Sequence, residues 1–109
     1  MYCRMVKLKF KDGLTRKALL SYLQPIIQQQ AEAYGLISMT TSQIAENTTV
    51  TSFLWPDYET AMEASEGYGA KITEGFRNAG AQVEVLEGPV QMAWFNADTE
   101  FLNLNTEET

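Results

Sequence analysis

The first ten residues, MYCRMVKLKF, alternate with a period of two, and the beginning of the run is apolar on both sides. Tyr2, Arg4, Val6, Leu8 and Phe10 fall on one face of a strand, while Met1, Cys3 and Met5 open the other. A strand of this kind needs cover on both faces. One layer of helices can cover only one of them, so a second layer has to come from elsewhere.

The rest of the chain supplies two helices and three more strands. Asp12-Gly13 breaks the first strand, and Thr15 is a candidate cap for a helix. Its apolar positions Leu19, Leu20, Leu23, Ile26, Ile27 and Tyr34 keep helical spacing up to a stop at Gly35. Pro25 lies inside that pattern and predicts a kink near Tyr22. Two β-prone runs follow, Leu36 to Ile44 and Thr48 to Trp55, joined by Ala45-Glu46-Asn47 as a hairpin turn. Asp57 caps the second helix, and Glu59 sits in its positive first turn. Tyr58, Ala61, Met62, Ser65, Tyr68, Ile72 and Phe76 form the expected buried stripe, and Gly67, Gly69 and Gly75 predict a bend or break near Tyr68. Asn78-Ala79-Gly80 ends this helix. Ala81 to Glu87 and Val90 to Phe95 read as a last strand region, with a bulge or a change of partner at Gly88-Pro89.

The order β-α-β-β-α-β defines an α+β, ferredoxin-like fold, with one four-stranded antiparallel sheet and two helices on one face. The opposite sheet face stays open, yet Met1, Cys3 and Met5 occupy it, and the last strand region is also apolar on both sides. Two open faces packed together bury both sets, which predicts a homodimer about a two-fold axis, a dimeric α+β barrel. Residues 1–96 are expected to form this domain, and residues 97–109, rich in acids, a C-terminal tail.

Charge and cysteine content narrow the class of function. The net charge of −6 opposes nucleic-acid binding, which depends on a basic surface. The charge is nevertheless segregated: residues 1–17 carry +5 and the remainder −11. Lys7, Lys9 and Lys11 share one strand face, either as an anion-binding row or as partners for acids such as Glu84 or Glu87. A single cysteine, Cys3, forms no internal disulfide and reads as a small buried hydrophobe. With no apolar run long enough to span a bilayer and no export signal, the expected location is the cytoplasm, away from any membrane.

The segment around "TSFLWPDYETA" changes from strand to capped helix at Trp55. Together with the following Phe76 and Gly80 and the closing "AQVEVLEGPVQMAWF", it resembles the antibiotic biosynthesis monooxygenase-like family of dimeric α+β barrels. The resemblance covers about residues 1–96. It implies the same fold and dimerisation, and membership of a group that includes cofactor-independent oxygenases of phenolic or quinol compounds, haem-degrading enzymes and proteins without an established reaction. The haem branch would require a histidine on the second helix and an asparagine on the first strand. This chain has no histidine, and Val6 stands near the asparagine position, so no haem, metal or other cofactor is expected. Of the family's features the tryptophan, Trp55, carries over.

Two readings of Trp55 remain. In the first, it walls a cleft between sheet and helices together with Arg4, Tyr22, Tyr58 and Tyr68, and the cleft holds a small aromatic ligand whose phenolate pairs with Arg4. In the second, Trp55 and the tyrosines are large core residues closing the end of a small domain. A Ser/His/Asp arrangement is excluded and no phosphate-binding glycine loop is present, so no catalytic residue is assigned. The functional expectation is correspondingly twofold: a cofactor-independent oxygenase of a small phenolic or quinol compound, or a non-catalytic homodimeric binding or accessory domain.

Overall fold

A computed structural model describes residues 1–95. The expected tail 97–109 and the domain boundary at residue 96 lie outside the described residues. Eight segments follow one another: β1 (Tyr2–Lys9), α1 (Gly13–Ala33), β2 (Ser38–Ala45), β3 (Thr48–Trp55), α2 (Tyr58–Ala64), a π-helical turn (Ser65–Gly69), α3 (Ala70–Asn78) and β4 (Gln82–Pro89). The sheet order is β2-β3-β1-β4, and every pair is antiparallel. This is the ferredoxin-like arrangement, with the second helix divided by the π turn.

Register assigns the faces. Tyr2, Arg4, Val6 and Leu8 on β1 stand beside Trp55, Phe53, Thr51 and Thr49 on β3, so these side chains share the helix-covered face. Cys3, Met5 and Lys7 share the open face with Leu54, Ser52 and Val50 on one side and Gly88, Leu86 and Glu84 on the other. Lys7 therefore stands opposite Glu84, one of the acids expected beside the lysine row, whereas Glu87 stands opposite Arg4. Cys3 is half-buried rather than buried, with its Sγ 3.6 Å from Ser52 Oγ.

Two clusters form the core beneath the helices. Leu8, Phe10, Phe76 and Ala81 are buried together, with the Phe10 and Phe76 rings edge to face at 5.9 Å. Trp55, Ala61 and Ala64 form the second cluster, joined by Phe53, Tyr34 and Tyr68. The small side chains of Ala61 and Ala64 let α2 lie directly over the indole.

Helix ends account for several boundaries. The cap of α1 is Asp12, not Thr15: its Oδ1 accepts the Thr15 backbone N–H at 2.7 Å, so the helix begins three residues earlier than expected. Pro25 lies within one continuous helix. Asp57 caps α2 as expected, accepting from Thr60 N at 2.7 Å. At the end of α3, Gly80 adopts φ +92 while its N–H bonds Arg77 O and that of Ala81 bonds Phe76 O, a Schellman closure that the positive φ of glycine permits.

The last strand departs from expectation. Gln82 to Pro89 is one strand through Gly88-Pro89, and pairing ends where Val90 N–H donates to Met1 O. Among the described residues only β1 neighbours β4, so Pro89 sits at the end of an edge strand, where a missing donor is tolerated. Residues 91–95 do not continue the sheet, and Met92 and Trp94 are 90% and 83% exposed.

The two aspartate caps predict an acid dependence. Hydrogen bonds from Thr15 and Thr60 hold the Asp12 and Asp57 carboxyls below their ordinary value of 3.8. Stability from each is thus present above that value and is lost as pH falls through the lowered one. The urea midpoint of the native chain should fall more steeply between about pH 5 and pH 3 than that of Asp57→Asn, which caps without titrating. Equal slopes would remove Asp57 as a contributor.

Candidate functional site

The helix-covered side of the sheet does not close completely over β1 and β3. A cavity of about 90 Å³ remains between Arg4, Val6, Phe53 and Trp55 on the sheet and α1, α2 and the π turn above. Leu20, Gln24 and Ile27 supply the α1 wall, and Ala61, Ala64 and Tyr68 much of the facing wall. These α1 positions are four and three residues apart, one stripe of the helix.

Three of the five residues expected in the cleft, Arg4, Trp55 and Tyr68, line the cavity. Tyr22 and Tyr58 do not. Tyr22 is 72% exposed, because it falls two residues from Leu20 on α1 and so points to the opposite side of that helix. Tyr58 is 54% exposed at the start of α2, where its ring meets Tyr2 edge to face at 5.2 Å. Trp55 is 3% exposed and stacked on Phe53 at 6.3 Å, and it also forms part of the cavity wall.

The polar groups are few. Trp55 Nε1 is buried without a hydrogen-bond partner among the described residues. An indole N–H donates only, and this one is sealed from water, so a ligand acceptor would reach it only if the packing around the indole opened. The Thr41 and Thr51 hydroxyls lie 2.9 Å apart on the β2 side, and this pair needs only one of its two protons. Burial, with Tyr34 close by, pushes the Tyr68 phenol up to about 12. It is neutral at pH 7 and serves as a donor, not a base.

Arg4 was expected to face a phenolate, and here it is already paired. Its Nη1 is 3.8 Å from Glu87 Oε1, and the same oxygen accepts the Tyr2 hydroxyl at 3.0 Å. Burial and the Glu87 bond raise the Tyr2 phenol above its ordinary value. Tyr2 and Glu87 are site neighbours that the sequence reading did not include. The two-residue alternation already put Tyr2 on the face of Arg4, but Glu87 became visible only through the β1–β4 register.

The π turn forms part of the wall through Ser65, Tyr68 and Gly69. A Cβ at Gly67 would overlap Tyr34 Oη, so glycine there allows the turn to pack on that ring. The bend expected near Tyr68 takes this form, and π turns recur at functional sites. Among the described residues no helix is long and apolar enough to cross a membrane.

The fold and its cavity define a ferredoxin-like domain of the architecture used by antibiotic biosynthesis monooxygenase-like proteins. One similar structure is a dimeric ferredoxin-like protein from an uncultured marine organism, with TM-score 0.72 and 13% identity over 88% of this chain and 100% of that one. Another is HapK from Hahella chejuensis, with TM-score 0.71 and 15% identity over 89% of this chain and 99% of that one. A third is SnoaB, a cofactor-independent oxygenase from Streptomyces nogalater, with TM-score 0.64 and 11% identity over 84% of this chain and 94% of that one. No family model matches the sequence, and no curated protein does. At these identities the likeness establishes the fold.

Proposed function

We propose that the protein is a homodimer that binds a small phenolic or quinol compound in the helix–sheet cavity and oxygenates it without a cofactor. The observation that carries the reading is the composition of the cavity: a stacked Phe53–Trp55 wall, with a buried, unpartnered indole N–H in that wall, in a lining where aliphatic and aromatic side chains outnumber the polar ones. Such a site favours a flat apolar ring bearing one oxygen acceptor. The oxygenase SnoaB shares the fold and supports the chemical part of the reading.

Size and charge shape the proposal. A cavity of about 90 Å³ is smaller than the roughly 150 Å³ that takes benzene, so a ring is admitted only if the lining moves. Met39, flexible and part of the wall, and the π turn are the elements that would give way. Arg4, balanced by Glu87, attracts an anionic ring less strongly than a free guanidinium would.

One observation favours the non-catalytic alternative. Only Arg4 and Tyr68 among the lining residues ionise, and neither is a base at pH 7. An oxygen electrode and a fluorescence titration, run on one panel of single-ring and fused phenols and quinols, separate the readings. Expected are saturable quenching of Trp55 and oxygen uptake that depends on the protein. Binding without uptake would leave a binding domain, and neither signal would overturn both readings.

A further inference from the structure

The positive N-terminal segment contains a group that the helix–sheet cavity does not use. Arg16 is only 7% exposed, yet among the described residues no carboxylate lies within 4.0 Å of its guanidinium. Its one hydrogen bond runs from Nε to the Glu46 backbone carbonyl at 2.8 Å. That bond uses one of five N–H groups; the Nη donors have no partner among the described residues. They are not sealed from water either, and Arg16 lines a recess of about 600 Å³ with Gly13, Leu14, Lys17, Gln43 and Glu46. A guanidinium held against an open recess with no carboxylate beside it is available to an anion, and its fork matches the paired oxygens of a phosphate or carboxylate.

We propose that this recess binds a small oxyanion, a phosphate group or a carboxylate, between Arg16 and Lys17. The Glu46 carbonyl fixes the Arg16 fork in advance. Glycine at position 13 keeps the β2–β3 turn close enough for that bond, because a Cβ there would meet Glu46 Cγ at 3.0 Å and Glu46 O at 3.1 Å. Lys17 adds a second cation, and the Gln43 amide a further donor. Two carboxylates bear on the balance. The Asp12 carboxylate is engaged in capping α1, and the Glu46 side chain, on the wall of the recess, weakens the site without cancelling both cations. The charge segregation of the sequence thus finds its anion site at the start of α1. The Lys7–Lys9–Lys11 row does not carry it: Lys7 stands opposite Glu84 on the open sheet face.

The test uses the full chain labelled with nitrogen-15 in a phosphate-free buffer. Sodium phosphate, sodium acetate and sodium chloride are titrated at matched ionic strength. The Arg16 Nε–H resonance and the Gly13 and Leu14 amides are expected to shift saturably with phosphate or acetate, and not with chloride. Whichever oxyanion saturates names the ligand class. Arg16→Gln should weaken binding by about tenfold or more, Lys17→Gln less, and Glu46→Gln should strengthen it. Arg16 is buried, so Arg16→Gln can lose the fold; the exposed Lys17 and Glu46 then decide by their opposite effects. Shifts that track chloride equally, or affinities unchanged in both Lys17→Gln and Glu46→Gln, overturn the site.

Discussion

Replacing Trp55 by alanine is expected to lower stability by about 3 to 5 kcal/mol, with a fall in Tm of roughly 10 to 30 °C. The indole is 3% exposed, stacks on Phe53 and lies beneath Ala61 and Ala64. Neither alanine can extend into the vacated space, and the strand and helix flanking it are held by the Asp57 cap, so the site collapses only partly. Alanine therefore cannot separate packing from binding. Trp55→Phe can, because it keeps a ring on the wall and removes only the N–H and part of the volume. Its packing cost is about 1 to 2 kcal/mol, with no hydrogen bond lost, since Nε1 has no partner among the described residues. Binding of a phenolic ligand should nevertheless weaken by about tenfold, the worth of one hydrogen bond in a dry site. Thermal melts and calorimetric titrations of both variants read the two effects, since either substitution removes the fluorophore of the cavity wall. Undiminished affinity in Trp55→Phe would show that the indole N–H meets no ligand.

The element order was legible because each segment keeps one hydrophobic period, and Asp57 stood at the right spacing to cap α2. Thr15 was misplaced as a cap because Asp12 lies three residues before it and presents a stronger acceptor to the Thr15 N–H. Nearness in sequence to Pro25 points Tyr22 toward the cleft. Its helical phase argued otherwise, since the apolar stripe of α1 passes through Leu20 and Ile27 and leaves Tyr22 outside. Arg4 and Trp55 were recoverable from strand alternation alone. The Arg4–Glu87–Tyr2 contact was not, because it joins residues some 85 positions apart through a register that no local pattern encodes. Val90 to Phe95 alternates as a strand should. It is not one in this chain because the pairing with β1 runs out at Met1.

Leu86→Glu is expected to convert a dimer into a monomer. The open sheet face is divided: near Lys9 it carries Lys7, Glu84 and Gln82, and near Tyr2 it carries Met5, Leu86, Cys3 and Leu54. Leu86 is 56% exposed and stands opposite Met5, which is itself partly exposed. A second copy related by a two-fold axis would cover this apolar half. Light scattering at micromolar concentration should then give about 25 kDa for the native chain, twice its 12.3 kDa. A glutamate at position 86 would be buried without a partner in that interface, a penalty of several kcal/mol that raises Kd by orders of magnitude. Tyr22→Glu is the matched control, because Tyr22 is more exposed but lies on the helical side, so that variant should remain dimeric. A native chain of 12.3 kDa throughout would remove the barrel. A Leu86→Glu variant that stays dimeric, alongside loss of the dimer when the exposed Met92 and Trp94 are made polar, would move the interface to the end of β4.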